Sequence, residues 1–479
     1  MTSALDAAGE LAIRSLITRA PLASSLAEAF RAKGFTLALV GGSVRDAILG
    51  RLGNDLDFTT NALPQETKKI LQIWAENIWD TGIAFGTVAG KRGDTTVEVT
   101  TYRTEQYDSL SRKPDVVYGK DILGDLSRRD FTVNAMALEL TGSEPEFIDP
   151  FNGIQDLTKK ILKTPVRPND SFSDDPLRMM RAARFASQLN FDIHPEVIDS
   201  MKVLASRIAI VSAERVRDEL VKILMSSNPR TGITILVNTG IAEIVIPEIP
   251  KLRLEVDEHH HHKDVYEHSI TVLEQSMALE DRLSGPNLVI RLAALLHDIG
   301  KPKTRSFIDG GGVSFHHHEI VGARLAKKRL QALRFDSQTI DAVEVLIALH
   351  LRFHGYGDGE WSDSAVRRYV RDAGELLTHL HILTRADCTT RNQAKAVRLS
   401  GIYDSLEKRI SILMEQEELS KIRPDLDGAE VMALLNLKPS REVGAAMDFL
   451  MELRLDQGPI GQERASAELL KWWEDRGSK

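Results

Sequence analysis

The chain has 479 residues, a formal net charge of −8 and a single cysteine, Cys388. This length exceeds one ordinary hydrophobic core, so we expect two to four domains. One cysteine excludes a disulfide framework and a cysteine-based zinc module. The negative charge means that a polyanionic partner would need a local basic surface. Apolar runs such as LVIRLAALL are too short for a membrane span, and the N-terminus has no secretory pattern, so we predict a cytoplasmic protein without a membrane partner.

Strand and helix patterns alternate over the first 150 residues, and helical patterns fill the rest. FTLALVGG and TTVEVTTYR are β-branched or alternating, which predicts strands. LPQETKKILQIWAENI lies between them and has helical spacing, with Pro64 in its first turn. After about residue 170, apolar residues recur three and four apart, as in ERVRDELVKILMS. We therefore predict an α+β fold, in which a small head with a mixed sheet precedes a long helical body.

The stretch LALVGGSVRDAILGRLGNDLDF contains the first group of candidate site residues. Its pattern predicts a strand, a turn at Gly41 and Gly42, and a helix that follows at once. Backbone amides at such a helix start suit a phosphate, glycines let the phosphate approach, and Arg45 adds a cation. If DLDF is a strand, Asp55 and Asp57 point to one face, where they can hold a divalent metal.

A third carboxylate, Glu98 in TTVEVTTYR, could join this pair from a neighbouring strand. The alternative for Glu98 is a solvent-facing position without a function. A glycine pair before a helix or an isolated D-x-D is also common without any function. Their combination within seventeen residues favours a site.

The arrangement resembles the head of the nucleotidyltransferase superfamily, in the class II branch of bacterial tRNA CCA-adding enzymes and poly(A) polymerases. Three later segments match motifs of that family in order, from about residue 36 to 220. GDLSRRDFTVNAMAL resembles its RRDFTxNA segment, DDPLRMMRAARFA its (E/D)DPxRxxRxxRF helix, and ERVRDEL its ER(I/V)xxEL helix. The segment from LDGAEVMALL to ELLKWW resembles its C-terminal helical piece. The resemblance implies template-independent addition of CCA to the tRNA 3′ end, with CTP, ATP and Mg²⁺ at the head site.

The resemblance also implies roles for the head residues. Two metals held by Asp55 and Asp57 would activate a 3′-hydroxyl and offset charge at the α-phosphate and the leaving pyrophosphate. The expected triphosphate contacts are Arg129, Arg45 and the backbone of Gly42. Two further candidates follow the arginine pair: Asp130, which would orient an arginine or the ribose, and Asn134, which is expected on the same helical face.

The segment DDPLRMMRAARF predicts a helix that starts with Pro176 in its first turn. Asp175, Arg178 and Arg181 are three residues apart and are expected on one face, where a surface ion pair is the alternative. Cytosine and adenine both present an amino donor beside a ring-nitrogen acceptor, so Asp175 can accept from the base and Arg178 can donate to it. Uracil and guanine reverse this pattern. In the family this helix reads the base, and Arg181 and Arg184 lie near the nucleotide.

Some alternatives stay open within this family. YRTEQYDSLSRKPDVVYGKDILGD resembles the mobile loop with which CCA-adding enzymes pass from C to A addition, and an ordinary surface loop is the other interpretation. Enzymes of the family that add only CC tend to lack this loop, so its presence favours complete CCA addition. Poly(A) polymerases of this class have a more basic signature that the sequence lacks, and a poly(A) polymerase or an A-adding enzyme stays as an alternative. The segment KKILKTPVRP is expected to contact the tRNA backbone.

A second group of candidates occurs in the order H…HD…H…H…D on predicted helices. Its members are His268, His297, Asp298, His318, His350 and Asp387. Nitrogen and oxygen ligands suit Mg²⁺, Mn²⁺, Ni²⁺, Fe²⁺ or Zn²⁺. Residues 256–390 resemble the HD-domain phosphohydrolases, which implies that four of these residues hold metal and that His318 and His350 serve a second metal. Lys301 would meet a phosphate. In CCA-adding enzymes such a domain is associated with 2′,3′-cyclic phosphodiesterase and phosphatase activity.

We therefore predict four domains: a head (1–155), a helical neck and body with the base reader (156–255), an HD domain (256–400) and a tRNA-binding helical tail (401–479). The histidine run in EHHHHKD, His259 to His262, is expected in an exposed loop. The expected partners are the tRNA 3′ end, CTP and ATP, and the protein is expected to be a monomer or a homodimer. Two alternatives are an HD phosphohydrolase with a degenerate head and a non-catalytic RNA-binding protein.

Overall fold

The computed structural model describes residues 2–19, 21–106, 115–119, 121–253, 264–307, 313–353, 361–389, 392–417 and 423–477. The chain forms two compact units, Met1–Pro247 and Glu248–Lys479. Among the described helices, none has both the length and the apolar character needed to cross a bilayer. The division into four domains stays a prediction.

The first unit contains a seven-stranded mixed sheet with the strand order β3-β4-β5-β2-β1-β8-β9. Only β2 and β5 pair in parallel within it, and the other neighbours are antiparallel. The strands of this unit are β1 Leu37–Val40, β2 Asp55–Thr60, β3 Asn77–Trp79, β4 Thr87–Arg92, β5 Thr95–Thr101, β6 Arg103–Gln106, β7 Asp115–Tyr118, β8 Ala137–Glu139, β9 Glu146–Ile148, β10 Ile161–Leu162 and β11 Asp192–Ile193.

Helices surround this sheet and continue beyond it. They are α1 Thr2–Arg19, α2 Leu22–Arg31, α3 Gly42–Ile48, α4 Pro64–Trp74, α5 Ile122–Ser127, α6 Gly153–Lys159, α7 Pro168–Asp174, α8 Leu177–Leu189, α9 Pro195–Leu204, α10 Ala213–Leu224, α11 Pro229–Asn238 and α12 Ala242–Val245. The predicted helix LPQETKKILQIWAENI is shorter than its pattern suggested. It ends at Trp74, and Asn77–Trp79 forms the edge strand β3 against β4.

Side-chain patterns explain the central strands. All four residues of β1 are buried, as a strand covered on both faces requires. In β5 buried and more exposed residues alternate, so one face is in the core and the other, with Glu98, is open. The core side includes Leu37, Leu39, Leu56 and Val99. Apolar residues on α8 are also buried, and this helix packs against α10 and α11.

The second unit is helical, apart from the short strands β12 Ser306–Phe307 and β13 Val313–Ser314. Its helices are α13 Val265–Met277, α14 Leu288–Leu296, α15 Lys301–Thr304, α16 His318–Ala332, α17 Ser337–Leu349, α18 Asp363–Ala373, α19 Leu377–Asp387, α20 Gln393–Glu417, α21 Gly428–Leu435, α22 Arg441–Gln457 and α23 Gln462–Gly477. The predicted α+β class, with a mixed-sheet head and a helical remainder, is confirmed.

One glycine allows a close helix approach in this unit. A Cβ atom on Gly300 would lie 2.0 Å from the carbonyl oxygen of His318 and 2.7 Å from the amide nitrogen of Gly322. Only glycine fits there, and its absence of a side chain lets the start of α16 lie against the turn that follows His297 and Asp298.

The last helices have a small core of their own, formed by Leu426, Val431, Ala446, Leu450, Ala465 and Leu469. Helix α22 packs against α18. There, Arg367 donates a hydrogen bond through Nη1 to the carbonyl oxygen of Leu455 at 3.0 Å, and Arg368 forms ion pairs with Glu452 and Asp456. These contacts attach the C-terminal helices to the helices of the HD-like region.

Candidate active site and candidate metal centre

Three carboxylates lie on one open face of the sheet in the first unit. Asp55 and Asp57 are two residues apart in β2, so their side chains point to the same side. The parallel register of β2 and β5 sets Glu98 directly beside Asp57. The structure therefore brings together the three acidic residues that the sequence singled out.

The electrostatics of this group favour a bound cation. The walls of the cleft around Asp57 remove part of its solvent and raise the pKa of its carboxyl. Arg129 lowers that pKa, whereas Glu98 and Asp55 raise it further. A divalent cation would relieve the repulsion among these carboxylates, and carboxylate oxygens are the ligands that Mg²⁺ prefers. The residues present fit a divalent metal.

Asp57 and Glu98 line a cleft of about 930 Å³. Its described lining includes seven arginines: Arg103, Arg128, Arg129, Arg178, Arg181, Arg207 and Arg215. Asp130 and Asp175 also line it. Guanidinium groups bind phosphate oxygens in a bidentate manner. A cleft with carboxylates on its sheet wall and arginines around them suits a metal-bound polyphosphate.

Gly41 makes room for one of these arginines. Its φ of 68° is a left-handed conformation that favours glycine, and a Cβ there would lie 2.8 Å from Nη1 of Arg129. Asp125 accepts a hydrogen bond from Nη2 of Arg129 at 3.1 Å. The same carboxylate accepts one from Nη2 of Arg128 at 2.9 Å. The glycine turn and Asp125 thus fix the direction of the arginine pair.

A chain of hydrogen bonds joins helix α3 to helix α8. Arg45 donates through Nη1 to Oδ1 of Asn134 at 2.6 Å, and Asn134 donates through Nδ2 to Oδ1 of Asp130 at 3.0 Å. The other oxygen of Asp130 accepts from Nε of Arg181 at 2.8 Å. Arg45 and Asn134 are buried. They are not among the described residues that line the cleft, so they are placed to act through Asp130 and Arg181.

The predicted base reader has a different local structure from the one expected. Asp175 precedes α8 and is the C-terminal cap of α7, so it does not share a helical face with Arg178. Asp175 forms an ion pair with Nη2 of Arg215 at 3.1 Å. Arg178 donates through Nη1 to Oγ of Ser171 at 2.9 Å. Both Asp175 and Arg178 nevertheless line the cleft.

Arg184 does not reach the cleft lining. It is buried, its Nε lies 3.0 Å from Oε2 of Glu219, and its guanidinium lies over the ring of Phe185 at 4.2 Å from the centroid. Burial and the neighbouring charge of Arg181 lower the pKa of Arg184. Its position is that of a supporting residue behind Arg181.

The second unit brings six predicted ligands together from five helices or their ends. His268 lies in α13, His297 and Asp298 follow α14, His318 begins α16, His350 follows α17 and Asp387 ends α19. Nε2 of His268 lies 3.0 Å from Oδ1 of Asp387 and 3.2 Å from Nε2 of His297. Nε2 of His297 lies 3.2 Å from Oδ2 of Asp298. Nε2 of His318 lies 3.3 Å from the other oxygen, Oδ1, of Asp298.

The outer nitrogen of each of these histidines has a polar partner. Nδ1 of His297, His318 and His350 lies 2.7–2.8 Å from a backbone carbonyl oxygen three residues earlier. Nδ1 of His268 lies 3.0 Å from Oγ1 of Thr389. These contacts direct each Nε2 inward, as second-layer partners of metal ligands do. Within the described residues, Nε2 of His350 is buried and has no hydrogen-bond partner.

The charges of this cluster also favour a cation. Burial lowers the pKa of His297, but Asp298 and Asp387 outweigh burial and raise it to about 10. Burial raises the pKa of Asp298, but His297, His318 and Lys301 hold it well below its usual range. Burial and the charge of His297 lower the pKa of His350 to about 4. Two sets of three residues have ligand atoms within 4.8 Å of one another, so the residues fit a divalent metal with nitrogen and oxygen ligands.

Three known families match successive segments of the chain, in the same order as the motifs quoted above. Residues 37–163 match the poly(A) polymerase head domain. Residues 190–252 match a probable RNA- and SrmB-binding site of polymerase A. Residues 265–392 match the HD domain.

One relative matches this chain over nearly its whole length, and this match shows the family. The A-adding tRNA nucleotidyltransferase of Deinococcus radiodurans is 32% identical over 445 residues, which cover 91% of this chain and 96% of that protein. The chain belongs to the tRNA nucleotidyltransferases. The CCA-adding enzyme of Enterococcus faecalis is 40% identical over 223 residues. This match covers 46% of the present chain and 52% of the Enterococcus protein, so the chain spans about half the length of this relative.

Solved structures show the same fold. The CCA-adding enzyme of Bacillus stearothermophilus in complex with CTP has a TM-score of 0.66 at 22% identity, with 95% of this chain and 98% of that chain covered. The Thermotoga maritima CCA-adding enzyme complexed with tRNA-CCA has a TM-score of 0.59 at 18% identity, with 96% and 98% covered.

Sequence reasoning missed several residues of this nucleotidyltransferase site, among them Asp125 and Arg215. Asp125 is fully buried and holds Arg128 and Arg129, and its position three and four residues before them was the available signal. Arg215 lies in the quoted ERVRDEL segment and pairs with Asp175 across 40 residues. His259 to His262 and residues 107–114 of the predicted mobile loop lie outside the described residues.

Proposed function

We propose that this nucleotidyltransferase adds the 3′-terminal CCA of tRNA without a template, with CTP and ATP as substrates. The observation that carries the proposal is the acidic face of β2 and β5, where Asp57 and Glu98 line an arginine-rich cleft and Asp55 lies two residues before Asp57 on the same side of β2. Divalent cations bound there, for which we propose two Mg²⁺ ions, would activate the 3′-hydroxyl and offset charge at the α-phosphate. Asp55 and Asp57 would hold them, and Glu98 would complete the acidic face.

The arginines of the cleft hold the triphosphate. Arg129 donates to phosphate oxygens. Its guanidinium is oriented by a hydrogen bond to Asp125 and occupies space that a side chain at position 41 would fill. The backbone at Gly41 and Gly42 gives a further contact at the start of α3. Arg45 acts indirectly, through the hydrogen bonds to Asn134 and Asp130 that orient Arg181. The triphosphate is thereby held against the carboxylates before transfer.

Base selection follows from the other wall of the cleft. Asp175 accepts from the exocyclic amino group of cytosine or adenine, and Arg178 donates to the adjacent ring nitrogen. Arg215 holds the Asp175 carboxylate at 3.1 Å and limits its rotation. Uracil and guanine would present a donor where Arg178 donates and an acceptor where Asp175 accepts, and such a mismatch costs about 1–3 kcal/mol for each unpaired buried group.

A second candidate is an A-adding enzyme that completes tRNAs already ending in CC. The full-length relative, which carries that name, favours this candidate. CCA-adding relatives match over about half of their length. The two candidates share the catalytic carboxylates and differ only in whether CTP is used.

One experiment separates them. Purified protein is incubated with Mg²⁺ and three tRNA forms, which end at the discriminator base, after one C and after two Cs, each with CTP alone, ATP alone or both. CCA addition predicts incorporation of C into the first two forms and of A into the third. Incorporation of A alone, into the CC form only, would establish the A-adding candidate instead. Asp57→Ala should abolish incorporation, whereas Asp94→Ala, at an exposed carboxylate of the β4–β5 turn, should retain it.

We further propose that the second unit hydrolyses phosphoesters at RNA 3′ ends. The convergence of four histidines with Asp298 and Asp387 supports this proposal. A metal held there would supply an activated water, and Lys301, 2.6 Å from Oδ2 of Asp298, lies at the site to meet a phosphate. The test is release of phosphate from a 3′-phosphate or opening of a 2′,3′-cyclic phosphate with Mn²⁺ or Ni²⁺. His297→Ala should lose this activity, and His317→Ala, 83% exposed, should keep it. Equal turnover in His297→Ala would refute the proposal.

A further inference from the structure

An exposed aromatic ring lies at the cleft of the first unit. Phe85 is 49% exposed and lines the same cleft as Asp57 and Glu98. The large aromatic residues of the core, such as Phe58 and Phe131, are fully buried. An apolar ring that stays in water beside a polar site leaves surface that a flat apolar ligand can cover.

The backbone holds this ring in a fixed position. Phe85 ends the 3₁₀ turn Ile83–Phe85, in which its amide donates to the carbonyl oxygen of Gly82 at 2.9 Å. Its own carbonyl oxygen accepts from Nη1 of Arg103 at 2.6 Å. The next residue, Gly86, accepts from the amide of Thr101 in β5 at 2.9 Å. The turn is therefore attached to the sheet, and the ring loses little freedom when a ligand covers it.

The position of the ring relative to the carboxylates follows from strand register. Glu98 and Thr100 lie on one face of β5, and Thr100 pairs with Thr87 of β4, which also lines the cleft. Phe85 precedes Thr87 by two residues. Glu98 and Thr100 are one two-residue strand step of about 6.6 Å apart, and Phe85 lies one tighter 3₁₀ step beyond Thr87, so its backbone is on the order of 10 Å from Glu98. This separation is too long for the reacting 3′-hydroxyl, and it suits a base of a strand whose end lies at the carboxylates.

A second exposed apolar side chain belongs to the same cleft. Ile210 is 47% exposed, ends the 3₁₀ segment Ala205–Ile210 and lines the cleft. Arg103 and Arg207 line it as well. Aromatic surface beside guanidinium groups is the combination with which proteins bind single-stranded RNA, because bases stack on the ring while the arginines meet the backbone phosphates.

We propose that Phe85 stacks on an unpaired base at the 3′ end of the acceptor tRNA and positions that strand for transfer. The inference rests on the proposed nucleotidyl transfer and adds to it a binding site for the acceptor strand. The incoming nucleotide does not need Phe85, because its base is read by Asp175 and Arg178. Phe85 is a binding and positioning residue, and its loss should weaken the acceptor and spare the nucleotide.

The test uses a tRNA whose 3′-terminal base is replaced by 2-aminopurine, a base whose fluorescence falls when it stacks. The intact protein should quench this fluorescence on binding, and Phe85→Ala should remove most of the quenching. In transfer assays Phe85→Ala should raise KM for tRNA by roughly five-fold or more, from the stacking energies of aromatic platforms, with KM for ATP unchanged within two-fold. Phe85→Trp should restore both signals. The matched control is Ile73→Ala, an exposed apolar residue of α4 with 83% exposure.

Other results overturn the inference. If Phe85→Ala quenched 2-aminopurine as much as the unaltered protein does, Phe85 would not bind the acceptor base. The same conclusion would follow if Phe85→Ala raised KM for ATP and left KM for tRNA unchanged. The fluorescence signal needs no transfer. A protein that quenches through Phe85 and yet incorporates neither C nor A would therefore refute the proposed function and leave the stacking site standing.

Discussion

Asp130 and Arg181 form an ion pair between the segment after α5 and helix α8, across 51 residues of chain. Asp130 is buried, and each of its oxygens has a different partner: Nδ2 of Asn134 at 3.0 Å on one and Nε of Arg181 at 2.8 Å on the other. The pair therefore connects the arginine segment of the cleft with helix α8, which contains Arg178, the residue proposed to donate to the base. Protonation of Asp130 would weaken the attachment of both the arginine segment and helix α8.

The first prediction concerns acid stability. Burial raises the pKa of Asp130, but the charge of Arg181 and the hydrogen bonds from Asn134 and Arg181 outweigh it and lower the pKa to about 2. A carboxyl whose pKa is lowered by folding stabilises the folded state above its unfolded pKa, near 4, and loses that effect as the pH falls towards 2. The contribution at pH 7 is about 2 kcal/mol. Asp130→Asn should therefore be less stable than the unaltered protein at pH 7, by a difference that shrinks by roughly half at pH 3.

Paired urea titrations of the two proteins at pH 7 and pH 3 would measure this difference. The control is Asp170→Asn, since Asp170 pairs with Arg167 on the surface, where such pairs contribute about 0–1 kcal/mol. A stability difference for Asp130→Asn that is the same at both pH values would show that the ion pair contributes through packing and not through its charge.

Local sequence patterns predict the acidic face of the cleft better than its surroundings. Alternation in DLDF places Asp55 and Asp57 on one side of the strand, so these two could be grouped from spacing. Glu98 could only be offered as a third member, because its place beside Asp57 depends on the parallel register of β2 and β5. The pairing of Asp175 with Arg215 could not be predicted, because it depends on how the start of α10 lies against the turn between α7 and α8. The same limit applied to the expected shared face of Asp175 and Arg178, which Pro176 and the break before α8 prevent.

The metal cluster shows a similar division. The order H…HD…H…H…D identified its six residues, and the family resemblance supplied their grouping. Their convergence depends on contacts between helices, such as the close approach at Gly300, that no spacing within one helix encodes. The backbone carbonyl partners of Nδ1 in His297, His318 and His350 also become visible only in three dimensions.

The second prediction concerns base selection. Asp175→Ala should reduce the preference for CTP and ATP over UTP and GTP by about ten-fold or more, because the acceptor for the exocyclic amino group is lost. Arg215→Ala should instead raise KM for every nucleotide by a few fold and keep the preference, since an exposed ion pair contributes about 0–1 kcal/mol to the position of Asp175. Values of kcat/KM for the four nucleotides would separate the two effects. An unchanged preference in Asp175→Ala would remove Asp175 from base reading.

The third prediction is that the two proposed metal sites act independently. A divalent ion at 100 times its Kd should stabilise the second unit by about 2.7 kcal/mol, and a chelator should reverse this gain. His297→Ala should show no gain with Mn²⁺ and should retain nucleotidyl transfer within two-fold. Asp57→Ala should show the opposite behaviour, with the gain kept and transfer lost.

Thermal unfolding with and without Mn²⁺, beside transfer assays on the same preparations, gives both readouts. His350→Gln is a second variant that keeps a polar side chain in the buried position and should weaken the gain. A full Mn²⁺ gain in both histidine variants would place the bound ion elsewhere.

The last prediction concerns Asp125, whose buried carboxylate accepts hydrogen bonds from Arg128 and Arg129. Burial raises its pKa, but these two guanidinium groups outweigh burial and lower it. Asp125→Ala leaves both arginines without this partner and should cost about 3 kcal/mol of stability. It should also lower the transfer rate, because Arg129 is no longer directed at the triphosphate. Asp125→Asn retains a hydrogen-bonding oxygen but no charge, so its loss on both counts should be intermediate.

Asp121→Ala is the matched control for Asp125. Asp121 caps the N-terminus of the same helix, α5, by accepting from the amide of Gly124 at 2.7 Å. Its removal should cost about 1 kcal/mol of stability, the usual effect of losing an N-cap, and should leave KM for ATP unchanged. If Asp121→Ala and Asp125→Ala reduced transfer equally, the effect would come from a disturbed helix. A larger loss in Asp125→Ala, carried mainly by KM for the nucleotide, would instead assign to Asp125 the task of holding the arginine pair towards the triphosphate.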